Sequence, residues 1–385
     1  MSRIKRWILY AAAALAAVLI LSAIAGVVVL RSDRFREYLQ SRVVTEIEKA
    51  TGGRAELGRL SVDWKNMTAQ VAPLVLHGKE AVGEPPLLRV DSATLGLRII
   101  SVLERKVDLA SLRVEKPQVR IVLYADGSTN IPGPPARSEK IWSEELLNLA
   151  IRQYEFNDGL LEYDNRKIPL NLRGEHLRMH LTYDAATPSY QGEMSSDGLR
   201  VTPPGLGPIE AKMSAVFTLE NSRIMFSRLQ IATKESSADL AGALEDMRAP
   251  HGTLSLTAKG AVAEMVRLLK LPIDPTGSAV LNGKLSVSFG PSFDFGITGR
   301  MTARGLRYRH ERLKVEGAEV DGNIELNQDA LVVRSMTAQV LGASIMGQAK
   351  LDHWRQLHLE GTIGGLDMRR AVGILTDRPV AWNGV

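Results

Sequence analysis

From Arg54 onward the chain is dominated by a period of two, and this alternation constrains the fold more than any other feature. Val119, Ile121 and Leu123 alternate with Arg120, Val122 and Tyr124. Leu177, Met179, Leu181 and Tyr183 alternate with Arg178, His180 and Thr182. The pattern returns at Leu254/Leu256/Ala258, Leu285/Val287/Phe289, Ile324/Leu326 and Leu357/Leu359/Ile363. Successive side chains of a strand point to opposite faces, so each stretch reads as a strand with one apolar and one polar side. The pairs Asp126-Gly127, Asp158-Gly159, Asp197-Gly198, Asn282-Gly283 and Asp321-Gly322 punctuate the pattern. They accept the positive φ of tight hairpins and predict a mainly β, mostly antiparallel sheet that turns at these points.

Helices are few. Ser32 is placed to cap one over about 33–50, in which Phe35, Leu39, Val43 and Ile47 share a face and Gly52-Gly53 supplies the stop. Others are predicted over 141–152, after the Pro-rich link 131–135, over 262–271 before Pro272, and over 367–375. So few helices cannot cover every apolar strand face. Three closures remain: two sheets in a sandwich or barrel, a solenoid, or a groove filled by a ligand. Aromatic residues make up only 5% of the chain, which suggests smooth aliphatic walls. Acyl chains in a trough would supply the missing layer, each buried CH₂ contributing about 0.8 kcal/mol.

A second feature sets the address. Twenty-three uncharged residues, Ile8 to Leu30, follow Arg3, Lys5 and Arg6. As a helix they would span roughly 34 Å, enough for a hydrocarbon core of about 30 Å. Ile8, Leu15, Leu19, Leu21, Ile24, Val28 and Leu30 carry much of the anchor's apolarity. Ala23-Ile24-Ala25 resembles a signal-cleavage site, but Val27 to Leu30 continue the run past it, which favours an uncleaved anchor. Basic residues flank both ends, so charge alone leaves orientation open. The chain contains no Cys and is at ease in an oxidising compartment. The expected arrangement is a cytoplasmic amino terminus and an exported body.

The search for chemistry finds little. His176 and His180 are four apart, but in a strand that spacing is about 13 Å, too far for a shared metal. The run from Gly342 to Gly347 is one residue too long for a nucleophile elbow. No phosphate-cradling glycine loop and no H-E-x-x-H motif is present. A net charge of +5 is small for this length, and the basic stripe with aromatic platforms that nucleic acid would need is missing. The reading is therefore non-enzymatic, with no cofactor, no metal and no nucleic-acid partner.

Leu254, Leu256 and Met265 recur as Leu357, Leu359 and Met368, and Asn282-Gly283 as Asn383-Gly384. This suggests a repeat of strands, short helix, Pro-bearing loop and turn. In the first copy the turn would open a strand over 284–289. In the second the chain stops just after it, so the natural protein is expected to continue.

The run Ala50-Thr51-Gly52-Gly53-Arg54, the strand Glu56-Leu57-Gly58-Arg59-Leu60 and the stretch from Val119 to Asn130 together resemble the amino-terminal region of AsmA-like proteins. Phe156 to Asp164 is similar to a segment that also recurs there, and the later half resembles the TamB branch. The resemblance implies an inner-membrane anchor in a Gram-negative-type envelope and a periplasmic body whose long, twisted sheet forms an elongated groove. It implies a bridge-like protein that carries phospholipids. Some relatives are linked instead to outer-membrane protein assembly through a barrel partner of the TamA or BamA type. On this basis the chain divides into a cytoplasmic tip and anchor (1–31), a stalk helix (32–53), a first AsmA-like β segment (54–135), a second groove segment (136–249), a repeat unit (250–352) and the start of another (353–385). The candidate groove lining is Val119, Ile121, Leu123, Leu177, Met179, Leu181, Leu254, Leu256, Leu285, Val287, Phe289, Ile324, Leu326, Leu357, Leu359 and Ile363.

Overall fold

The computed structural model describes residues 33–63, 65–97, 109–132, 142–167, 170–202, 207–268, 270, 273–289, 293–310, 313–340, 342–353 and 355–365. The expected span over 8–30 and the expected helix over 367–375 lie outside the described residues. Among the described residues, no helix is long and apolar enough to cross a membrane.

The protein is mainly β, with all nineteen described strands in one mixed sheet. Helix α1 (Asp33–Thr51) leads into β1 (Arg54–Asp63) and β2 (Thr68–His77), which pair antiparallel. β3 (Leu88–Val90) and β4 (Ser92–Leu97) share the same edge of β2 and act as one strand broken at Asp91. β5 (Leu109–Glu115) and β6 (Gln118–Leu123) form a second broken strand beside them, interrupted at Lys116-Pro117.

Next comes β7 (Gln153–Asn165), which lies parallel to both β5 and β6. A parallel neighbour needs a crossover connection, and the segment between β6 and β7, carrying α2 (Trp142–Leu149), provides it. From β7 onward each strand pairs antiparallel with the next. The strands are β8 (Leu170–Asp184), β9 (Ser189–Thr202), β10 (Ile209–Leu219), β11 (Arg223–Ala232), β12 (Ser236–Glu245) and β13 (His251–Ala261). After α3 (Val262–Leu268) the meander continues through β14 (Thr276–Phe289), β15 (Phe293–His310), β16 (Leu313–Asn327), β17 (Ala330–Val340), β18 (Ala343–Asp352) and β19 (Gln356–Gly364).

The expected turns need correction. Asp126-Gly127 does turn, with Gly127 at a φ of 84°. Asp158-Gly159, Asp197-Gly198, Asn282-Gly283 and Asp321-Gly322 instead sit inside β7, β9, β14 and β16. Two physical causes account for this. Asp158, at a φ of 53°, forms a bulge rather than a hairpin. Gly283 faces Gly299 across the ladder so closely that a Cβ on Gly299 would lie 2.6 Å from the Cα of Gly283. Glycine is needed there for close backbone approach between the two strands, not for a positive φ. The strand expected to begin at Lys284 accordingly begins at Thr276.

Candidate functional site

Register, followed strand by strand, assigns every inward side chain to one continuous face. The row that starts at Val62 on β1 passes through Ala69, Leu95 and Leu112 to Tyr154 on β7. It continues through Leu181, Gly192, Phe217, Phe226 and Gly242 to Leu254 on β13. From there it runs through Leu285, Ile297, Leu326, Leu331 and Leu351 to Leu357 on β19. No residue in this row has a hydrogen-bonding side chain except Tyr154. At about 4.8 Å per strand, the row measures roughly 75 Å along the sheet.

Bulges keep the face consistent along strands too long for strict alternation. In β7 the register slips between Phe156 and Gly159, and in β17 between Val333 and Met336. Each slip adds one residue, so the apolar set resumes on the side it left. Val119 and Ile121 reach this face opposite Leu161 and Tyr163, and Leu123 follows at the strand end. Leu177, Met179 and Leu181 lie on it in β8. So do Leu254 and Leu256 in β13, Leu285, Val287 and Phe289 in β14, Ile324 and Leu326 in β16, and Leu357, Leu359 and Ile363 in β19. The candidate lining residues therefore share one side of the sheet, while their surroundings differ.

Over β1–β3 the face is covered by α1, whose Val44 and Ile47 pack on Ala55, Leu76 and Leu87. The covering side of α1 is thus Val44 and Ile47, while Val43, expected on that face, is exposed; the side chains of Phe35 and Leu39 are outside the described set. Over β7–β11 the cover is α2 together with aromatic rings. Leu147 and Ile151 pack with Tyr154, Leu181, Tyr190 and Phe217. Tyr190 is 0% exposed, sits edge-on to Tyr154 with ring centroids 5.5 Å apart, and donates its hydroxyl to the Ile151 carbonyl at 3.0 Å. The Ser143 hydroxyl at the start of α2 donates to the Asn221 carbonyl in the β10–β11 turn, tying the helix down. Burial, helped by the neighbouring Tyr190 hydroxyl, raises the pKa of Tyr154, and burial raises that of Tyr190, so both remain protonated. This stretch is aromatic where low aromatic content suggests aliphatic walls throughout. The signal was present as clustering: Tyr154, Phe156, Tyr183, Tyr190, Phe217 and Phe226 fall within one part of the chain.

Beyond β13 the environment changes. Leu254 and Leu256 are still buried, in contact with Leu281, Leu285 and Ile297. Leu281, Leu285, Ile297, Met301, Leu326, Leu331 and Leu351 are half-buried. On β19, Leu357, Leu359 and Ile363 are 62%, 67% and 64% exposed. α3 packs at the ends of β13 and β14, and its Glu264 accepts hydrogen bonds from the hydroxyls of Ser236 on β12 and Thr233 in the β11–β12 turn. Phe289, Phe293 and Phe295 form a ring cluster at the opposite strand ends.

The other face is charged, and its ion pairs bridge adjacent strands: Arg113–Glu155, Arg200–Glu210, Arg223–Glu245, Arg300–Asp321 and Arg334–Glu325. Exposed pairs of this kind contribute little stability each, but they specify register. His176 pairs with Asp158 while His180 hydrogen-bonds Thr182, so the two imidazoles serve different partners. Asn130, invisible to strand-pattern reasoning, is fully buried: its side chain accepts from the Val122 amide and donates to the Arg120 carbonyl, completing β6 where β3 is too short to pair.

No protein-family model matches the chain, and comparison with curated proteins finds no match.

Proposed function

We propose that the protein is a non-catalytic carrier of phospholipid acyl chains, anchored in the inner membrane by residues 8–30, with a periplasmic body whose sheet serves as an elongated groove toward the outer membrane. The observation that carries this reading is the apolar row running without a break from Val62 to Leu357. A sandwich core would have a second sheet packed about 10 Å away; the described strands all belong to one sheet, and an acyl layer over the uncovered part of its face accounts for that exposure. Glycine pairs such as Gly283–Gly299 and Gly347–Gly361 on the inner face support curvature toward that side. The resemblance to AsmA-like and TamB-like proteins points the same way.

The test is mass spectrometry of organic extracts from the purified body, residues 32 onward, exported to a periplasm. Stoichiometric phospholipid or fatty acid is the expected outcome. A lipid-free body with a cooperative melt would overturn the reading and favour a scaffold for outer-membrane proteins acting with a barrel partner.

A further inference from the structure

Resting on the lipid reading, we infer that α3 is a releasable clasp on the rim of the inner face. It ties successive hairpin ends together over β10–β13, and it lets go when an acyl chain enters the inner face from that end.

Register places α3 on the inner side of the sheet. Ser236 and Gly260 are cross-strand partners, four residues along β12 and β13 from the buried inward pair Leu240 and Leu256, so both belong to the inner face. The Ser236 hydroxyl donates to Glu264, and a Cβ on Gly260 would lie 3.5 Å from Cε of Met265. The helix also reaches beyond these two strands. The carbonyl of Leu268, its last residue, accepts the Gly207 amide from the β9–β10 turn at 3.0 Å. Arg267 pairs with Glu235 and Glu264 accepts from Thr233, both in the β11–β12 turn. β10 and β13 are three strands apart, about 14 Å along the sheet, and the length of α3 is about 10 Å. The helix therefore spans most of that separation as a chord over the inner face.

Its attachments are of a kind that opens. α2 is fixed by apolar packing, with Leu147 and the following Ile151 set among Tyr154 and Tyr190. In α3 the buried residue is Val266, and the other holds are polar. Leu268 offers a carbonyl that a helix end leaves without an intrahelical partner, the Arg267–Glu235 pair is exposed to solvent, and water can replace the partner in each case. An element with little buried apolar area and solvent-reachable hydrogen bonds is among the first to open locally. Its release uncovers the rim while the strand ladders stay paired.

The chain has no cysteine, so an introduced thiol pair reports on the clasp alone. A Cβ on Gly207 would stand 4.0 Å from the Leu268 Cα, within reach of a disulfide. The full chain carrying Gly207→Cys and Leu268→Cys is reconstituted in vesicles of phosphatidylglycerol and phosphatidylethanolamine. It is mixed with vesicles holding a phospholipid with a diazirine in its acyl chain. Illumination at successive times, followed by peptide mass spectrometry, measures loading at inward residues such as Leu281 and Met301. Oxidation is expected to slow loading about tenfold and reduction to restore it, while Glu264→Ala, which frees Ser236 and Thr233, loads faster than the unaltered chain. Equal loading by the oxidised and reduced protein, or an unchanged rate in Glu264→Ala, would overturn the clasp and leave the lipid reading intact. An unaltered chain that gains no adducts would sink the lipid reading itself.

Discussion

The strands β7–β11 and β14–β19 obey the same rules of register, yet they solve the problem of a one-faced sheet differently. In the first stretch, aromatic rings fill the inner face and α2 closes over it, so the apolar layer is completed from within the chain. In the second, the inward residues are mostly aliphatic and shorter in reach, and they range from buried, as at Ile324 and Val333, through half-buried to exposed on β19. Alternation alone does not distinguish a core from a conduit. The difference lies in side-chain volume: rings of Tyr and Phe cover more of the face than Leu, Ile and Gly do.

The sharpest way to break this comparison is to remove a ring from the filled stretch. Tyr190→Ala deletes a fully buried side chain that contacts Tyr154 and Tyr183 and anchors the Ile151 carbonyl. A loss of about 3–5 kcal/mol is expected, read as a lower urea midpoint. Leu326→Ala in the half-buried stretch should cost about 1–2 kcal/mol, since less area leaves water. Comparable losses for the two would mean that β14–β19 is also an ordinary core.

The curvature argument is tested at glycine. Gly299→Ala places a methyl against the backbone of Gly283 and should cost about 1–3 kcal/mol by forcing the two strands apart. Gly364→Ala, with nothing within 4 Å, is the control and should be close to neutral. If both substitutions behave alike, close backbone approach is not what the inner-face glycines provide.

Sequence made the β class, the two-faced strands and the inward residue set legible, because period two survives even where bulges interrupt it. α1, α2 and α3 were also legible to within a few residues, from their caps and breakers. The Asp-Gly and Asn-Gly pairs inside β9, β14 and β16 are not turns because such pairs report only permissive backbone, and in β14 and β16 the glycine serves close packing. The parallel step at β7 was hidden, since its partners are separated by a crossover and no local pattern encodes strand direction. Asn130 was hidden for a similar reason: whether a polar residue replaces a missing strand depends on β3 being short, a fact of tertiary pairing.

Acid should affect both stretches alike, which sharpens the comparison by confining the difference to the inner face. Glu175 is held below its ordinary pKa by hydrogen bonding to Arg173, and Asp321 by Arg300 and then Thr302. Carboxylates depressed in the folded state add stability that is present above their unfolded values, near 4, and lost as pH falls through the folded values. Urea midpoints should therefore hold between pH 7 and about 5 and decline below about 4. Hydrogen exchange at low pH should report similar loosening in β8 and β16. Loosening confined to one stretch would place the difference on the charged face instead.

The smallest expected effect on stability is at the open edge. Leu359→Arg replaces a side chain that is 67% exposed on β19 and should change the urea midpoint by less than about 0.5 kcal/mol. The same charge at Leu256, which is 6% exposed and packed in the cluster with Leu240 and Leu254, should unfold its neighbourhood. If the face of β19 is a lipid surface, Leu359→Arg leaves the fold intact yet lowers the phospholipid co-purified with the body, because a charge in an acyl layer must be solvated. Intact folding with undiminished lipid would mean that acyl chains stop short of β19 and that the exposed leucines there serve another contact. The pair of substitutions thus separates a residue exposed to ligand from one enclosed by protein, on two strands that the alternating pattern makes look the same.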